Sequence, residues 1–271
     1  MKSRPSSLRS GSLAVLAAFG FSAISLAADE TVPVDPALTV QQISPPSDHK
    51  VPEIDPIRLY GGDIVFDVYR KKARVGEHRV KFSRDGDRLS IDAHFRLTVK
   101  VLFIDAYTFD YQSNEIWQGQ SLIGLSANVD DGGKRATVTA KPDGELFRID
   151  GPRGATLANS WVFPTNHWHR GQVETPTILN TLTGQLANVT VLHRGIDRIE
   201  VQGGVVDAER FEYTGDLRDT DVWYDAEGRW VKMAFKARDG SRIEYRCRSC
   251  GVSTTDVAGF NGQPANSETS P

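Results

Sequence analysis

Residues 89 to 103 alternate apolar and polar side chains almost without a break. Leu89, Ile91, Ala93, Phe95, Leu97, Val99, Val101 and Phe103 hold one phase, and Ser90, Asp92, His94, Arg96, Thr98 and Lys100 hold the other. Side chains on a strand point alternately to opposite faces, so this run predicts a long strand with one buried face. Tyr107, Phe109, Tyr111 and Trp117 repeat the pattern. So do Ile64, Phe66 and Val68, then Val231, Met233, Phe235 and Ala237, then Ile243, Tyr245 and Cys247.

Turn chemistry separates the runs. Asp85-Gly86, Asp131-Gly132-Gly133, Pro142-Asp143-Gly144, Ala226-Glu227-Gly228 and Asp239-Gly240 supply residues that tolerate positive φ in tight hairpins. Connections this short join antiparallel neighbours. Residues 172–186 break the alternation: Ile178, Leu179 and Leu182 recur at helical spacing, with Thr175-Pro176 ahead and Gly184 behind. The expected fold class is mainly β, a large curled antiparallel sheet or half-barrel of about eleven strands with one short inserted helix. That helix is expected to lie over the concave face.

The ends of the chain differ from this middle. Lys2, Arg4 and Arg9 precede the apolar run Leu13 to Phe21, and Ser25-Leu26-Ala27 has the small-x-small form of a cleavage site. Residues 1–27 therefore read as a signal peptide, which makes the mature chain periplasmic or secreted after cleavage near Ala27. Residues 28–58 carry Pro33, Pro36, Pro45, Pro46, Pro52 and Pro56 and no apolar period, and read as a Pro-rich linker. The β domain is expected over 59–250, followed by a small, polar, disordered tail over 251–271.

Charge narrows the partners. The chain of 271 residues has a formal net charge of −3. Without Lys2, Arg4 and Arg9 its 32 basic residues become 29 against 35 acidic ones, a balance of −6. Sequence-independent nucleic-acid binding needs a basic surface, so no nucleic-acid partner is expected. Lys232, Lys236, Arg238, Arg242, Arg246 and Arg248 form a local basic face, read as solvated or as a peripheral contact with anionic headgroups or an acidic partner.

No G-x-S-x-G, P-loop or dinucleotide fingerprint occurs, and no cofactor is implied. His167-Trp168-His169 with Glu174 is the sharpest local pattern. On a regular strand the two imidazoles would share a face and could share a metal, which makes His167 and His169 weak metal candidates. Glu115 and Asp225 read as solvated carboxylates near strand ends. Cys247 and Cys250 are the sole cysteines, and in an exported chain a disulfide is the default. Regular strand would hold their Cα atoms about 10 Å apart, so a bridge requires the strand to end and turn there. Free or intermolecular thiols, a metal and redox chemistry stay open.

The segments FDVYRKKARVGEHRVKF, VKVLFIDAYTFDYQSNEIWQGQSLIGLSA and DVWYDAEGRWVKMAFKARDGSRIEYRC resemble a family of secreted bacterial proteins known only as a domain of unknown function. The resemblance rests on G-x-H-x-V-x-F, on S-x-E-x-W-x-G at Ser113 to Gly119, and on W-Y-D-x-x-G-x-x-V-K at Trp223 to Lys232. That family is similar in turn to the half-barrel fold of periplasmic lipoprotein carriers, which implies a curved sheet around a greasy cavity. The leading expectation is a non-enzymatic binding or carrier-like module for a lipid, acyl or other hydrophobic ligand. Phe95, Phe103, Phe109, Tyr111, Ile178, Leu179, Leu182 and Phe235 would line the site. An envelope assembly or structural factor that binds another envelope protein is the alternative. A metal-dependent enzyme using His167 and His169 is the third reading.

Overall fold

A computed structural model describes residues 39–40, 54–101, 104–158, 162–237 and 239–252. Strand β1 is Thr39–Val40, α1 is Pro56–Tyr60, and β2 to β5 are Ile64–Arg70, Ala73–Asp85, Arg88–Val101 and Ile104–Gln118. β6 to β9 are Ser121–Asp131, Lys134–Asp143, Leu146–Gly151 and Gly154–Ala158. β10 is Phe163–Pro164 and β11 is Thr177–Leu179, with a 3₁₀ turn at Arg170–Glu174 between them. β12 to β16 are Leu186–Val201, Gly204–Gly215, Thr220–Asp225, Trp230–Lys236 and Arg242–Ser249.

These strands form one sheet in the order β1-β9-β8-β7-β6-β5-β4-β3-β2-β16-β15-β14-β13-β12-β11-β10. Only β1–β9 and β10–β11 pair in parallel. The alternation of residues 89 to 99 holds residue by residue: the odd positions are buried and the even ones are not. Leu97, Phe95 and Ile91 face Phe109, Tyr111 and Glu115 across the β4–β5 register.

The sheet curls tightly. Phe95 on β4 and Tyr245 on β16 lie three strands apart, about 14 Å on a flat sheet at 4.8 Å per strand. Their ring centroids are 5.5 Å apart. Far along the sheet, Gly151 at the end of β8 meets the loop after β11, where a Cβ would come 2.5 Å from the Thr183 carbonyl oxygen. Only glycine permits that approach of the two segments, which is made without strand pairing.

Two expectations need correction. Among the described residues sixteen strands replace about eleven; β1, β10 and β11, two or three residues long, are too short to display a period. The inserted element is not a helix. Thr177 to Leu179 pairs with Ala187 and its neighbours on β12, and Asn180 to Gly184 is a turn. The Asn180 side chain accepts the Leu182 N–H at 2.9 Å, and Gly184 takes a φ of 71°. β-branched Thr177 and Ile178 suit a pleated, buried position better than one helical turn.

Within residues 28–58, read as a linker, Thr39–Val40 lies beside β9 and Asp55 caps α1. α1 carries Tyr60 into the core, where its hydroxyl donates to the Trp168 carbonyl at 2.8 Å and accepts the Trp230 N–H at 3.0 Å. The signal-peptide expectation, most of the tail, Phe103 and Arg238 lie outside the described residues.

Cys247 and Cys250 form a disulfide with Cα atoms 6.0 Å apart. The register shifts between Cys247 and Ser249 opposite Phe66 and Val65, and β16 stops at Ser249. The strand thus ends where the bridge needs it to. Replacing both cysteines by serine is expected to cost about 2 kcal/mol, the chain-entropy value for so short a loop. Thermal unfolding with and without reductant measures it, and an unchanged midpoint would mean that the bulge alone holds this end.

Candidate functional site

The concave face holds two layers of chemistry. The lower one is polar and buried. Glu115 lies on the inward phase of β5 and is fully buried. Its carboxylate accepts from Trp117 Nε1 at 2.8 Å, from Trp168 Nε1 at 3.1 Å and from Asn166 Nδ2. Burial pushes its pKa up, and the three donors oppose that shift. Asn166 also donates to Ser113 Oγ at 3.1 Å, and Tyr111 donates its hydroxyl to Thr181 Oγ1 at 2.8 Å. The segment from Phe163 to Gly184 is therefore pinned across the sheet by a polar network. Burial of Glu115 corrects the expectation of a solvated carboxylate. Asp225 is likewise buried, held by Arg229 Nε at 2.6 Å and by the Arg229 N–H at 2.9 Å.

Above this floor lies a chamber of about 310 Å³. Phe95, Leu97, Phe109, Met233, Phe235 and Tyr245 form its walls. Thr165, Asn166, His167, Asn180, Thr181 and Leu182 form the side given by the inserted segment. Asp216, Leu217, Arg218 and Lys236 reach its mouth, where Asp216, Arg218 and Lys236 are exposed. Phe95, Phe109, Tyr111, Leu182 and Phe235 are among the residues that line the chamber. Ile178 and Leu179 do not line it; they are fully buried in the core.

His167 and His169 do not converge. His167 has a φ of 48°, which breaks the strand alternation on which a shared metal depends. Its ring faces Trp230 and Tyr213 at 5.7 and 5.8 Å. His169 turns to Phe163 and Trp117, and its Nδ1 accepts the Gly171 N–H at 3.0 Å. Among the described residues no group of three or more His, Cys, Asp or Glu side chains is arranged to hold a metal ion.

His78, absent from the expected site, lines the chamber beside Trp230, Tyr245 and Phe95. Neither of its ring nitrogens, nor Nδ1 of His167, has a hydrogen-bond partner among the described residues. Burial holds both imidazoles neutral, His78 pushed down to about 3 and His167 to about 4. The chamber is thus apolar at its walls, with neutral donor and acceptor nitrogens within and cations at its mouth. Ligand sites commonly combine an apolar lining with a few polar groups in this way. His78 was legible as inward, since it shares the phase of Val80 and Phe82.

The fold is similar to that in a crystal structure of a β-barrel-like protein of a domain of unknown function, DUF1849, from Brucella abortus. The TM-score is 0.51 at 14% sequence identity, over 71% of this chain and 97% of that one, so the likeness concerns the fold. No curated protein matches the chain. Residues 66–248 match the family model described as Domain of unknown function (DUF6134), and the chain belongs to that family.

Proposed function

We propose that the domain is a non-enzymatic binding or carrier-like module that holds an apolar chain, such as an acyl chain, in the chamber. The observation that carries this reading is the chamber of about 310 Å³, walled by Phe95, Leu97, Phe109, Met233, Phe235 and Tyr245 and open at one end. Aromatic and aliphatic walls gain free energy when they exchange water for an alkyl chain. The pinned segment from Phe163 to Gly184 gives the chamber a firm floor, so little ordering accompanies binding. The same reading keeps the mature chain in the periplasm, where lipids and acylated proteins are at hand.

Uptake of a fluorescent fatty acid, with mass spectrometry of lipid extracted from the purified protein, tests the proposal. The native domain is expected to bind the probe. Met233→Trp, which enlarges a half-buried wall residue into the chamber, is expected to weaken uptake at least tenfold while leaving the melting temperature nearly unchanged. No uptake by the native domain, or full uptake by the filled variant, would turn the reading toward an envelope assembly factor.

A further inference from the structure

We propose that the ligand is an anionic single-chain amphiphile, its carboxylate or phosphate held by Arg218 and Lys236 and its chain lying among the aromatic walls. This rests on the chamber being a site for an apolar chain. The evidence lies in how the basic side chains between Gly204 and Ser249 are used. Arg210 pairs with Asp221 at 2.9 Å, Lys232 with Glu244 at 3.0 Å and Arg242 with Asp221 at 3.5 Å. Arg229 pairs with Asp225 at 2.6 Å, Arg246 with Glu244 at 2.7 Å, and Arg248 with Glu77. Apart from Arg238, which lies outside the described residues, two remain. Arg218 and Lys236 form no ion pair among the described residues, and both line the mouth of the chamber.

The segments that carry the two are joined through the backbone. The Lys236 N–H donates to the Asp219 carbonyl at 3.1 Å, which ties the end of β15 to the turn that carries Arg218. Each cation follows an apolar lining residue, Leu217 before Arg218 and Phe235 before Lys236. Lys236 is the last residue of β15 and leaves the strand on the face opposite Phe235, so its long side chain meets the mouth around the strand end. The one carboxylate in the lining, Asp216, accepts the Asn188 N–H at 2.9 Å. An anionic head would meet two cations against one carboxylate, a net positive mouth, while its chain stays out of water.

Equilibrium binding of dodecanol, dodecanoate and dodecyl phosphate tests this with the native domain and the double variant Arg218→Ser/Lys236→Ser. Both positions are exposed, so the variant should melt like the native protein. The native domain is expected to prefer either anion to dodecanol by about fivefold at low salt, the size two exposed ion pairs supply. The double variant should lose that preference and keep its affinity for dodecanol. The tighter of the two anions then names the head. Equal affinity for dodecanol and both anions in the native domain, or a preference that survives in the variant, overturns the headgroup assignment alone. Failure of every probe to bind overturns the chamber reading beneath it.

Discussion

Glu115→Ala is expected to lower the unfolding free energy by about 3–5 kcal/mol, because it leaves three buried N–H donors without their acceptor at about 1–3 kcal/mol each. The size follows from what is left behind. Trp117 Nε1, Trp168 Nε1 and Asn166 Nδ2 all donate to this one carboxylate, and all three residues are buried. Without it they keep their burial and lose their acceptor, and unsatisfied buried groups cost far more than a lost surface bond. Glu115→Gln keeps one oxygen but turns an amide NH₂ toward donors, so it should fall between the alanine variant and the native protein. Urea titrations followed by near-ultraviolet circular dichroism report both stability and the packing of Trp117 and Trp168. A change in the alanine variant below about 1 kcal/mol would mean that the network does not bear on stability.

Acid should unfold the domain steeply. His78, His167 and His169 are buried neutral, with pKa values pushed down by burial to about 3, about 4 and about 4. In the unfolded chain each titrates near 6.5, so below that pH the unfolded state binds more protons. The stability these groups contribute is complete above about pH 6.5 and is lost as pH falls toward their folded values. Three protons set a slope of up to about 4 kcal/mol per pH unit. Glu115 and Asp225, which burial pushes up, oppose it toward the lower end of that window. His78→Phe removes one of the three protons and should flatten the slope by about 1.4 kcal/mol per unit. Urea titrations between about pH 7 and about pH 5 measure the slope. A flat profile would mean that these imidazoles accept protons in the folded state.

Much of this fold was legible in the sequence, for a physical reason. The period of a strand is two, and β4 shows it over eleven residues with every odd position from Leu89 to Val99 buried. The same period puts His78 in phase with Val80 and Phe82, and Glu115 in phase with Tyr111 and Trp117, on the inward face. For Glu115 the general preference of carboxylates for water points the other way, and the indole donors that overturn it come from Trp117 and from Trp168, 53 residues away. The segment around Ile178 misled because three apolar residues within one turn fit a helix and a short strand equally well. What decides there is tertiary: Thr177 to Leu179 has a partner on β12. Of the mouth, Lys236 is legible only as part of a basic face, since whether Arg218 and Lys236 are paired depends on neighbours brought together only by the turn of the sheet.

The strand order has a kinetic consequence. β2 to β9 form a meander in which each strand pairs with the next, so that half can assemble from neighbours in sequence. β2 and β16 join the two halves, and Arg70 meets Ser241 across 171 residues. Until the last strand is in place, the free side of β2 is an unpaired edge beside Phe66, an invitation to a second chain. Closing so long a loop is slow by its entropy alone, and folding should be limited by that one docking event rather than by any hairpin. Substitutions in the β2–β16 ladder would then slow refolding, whereas equally destabilising ones in the β6–β7 hairpin would chiefly speed unfolding.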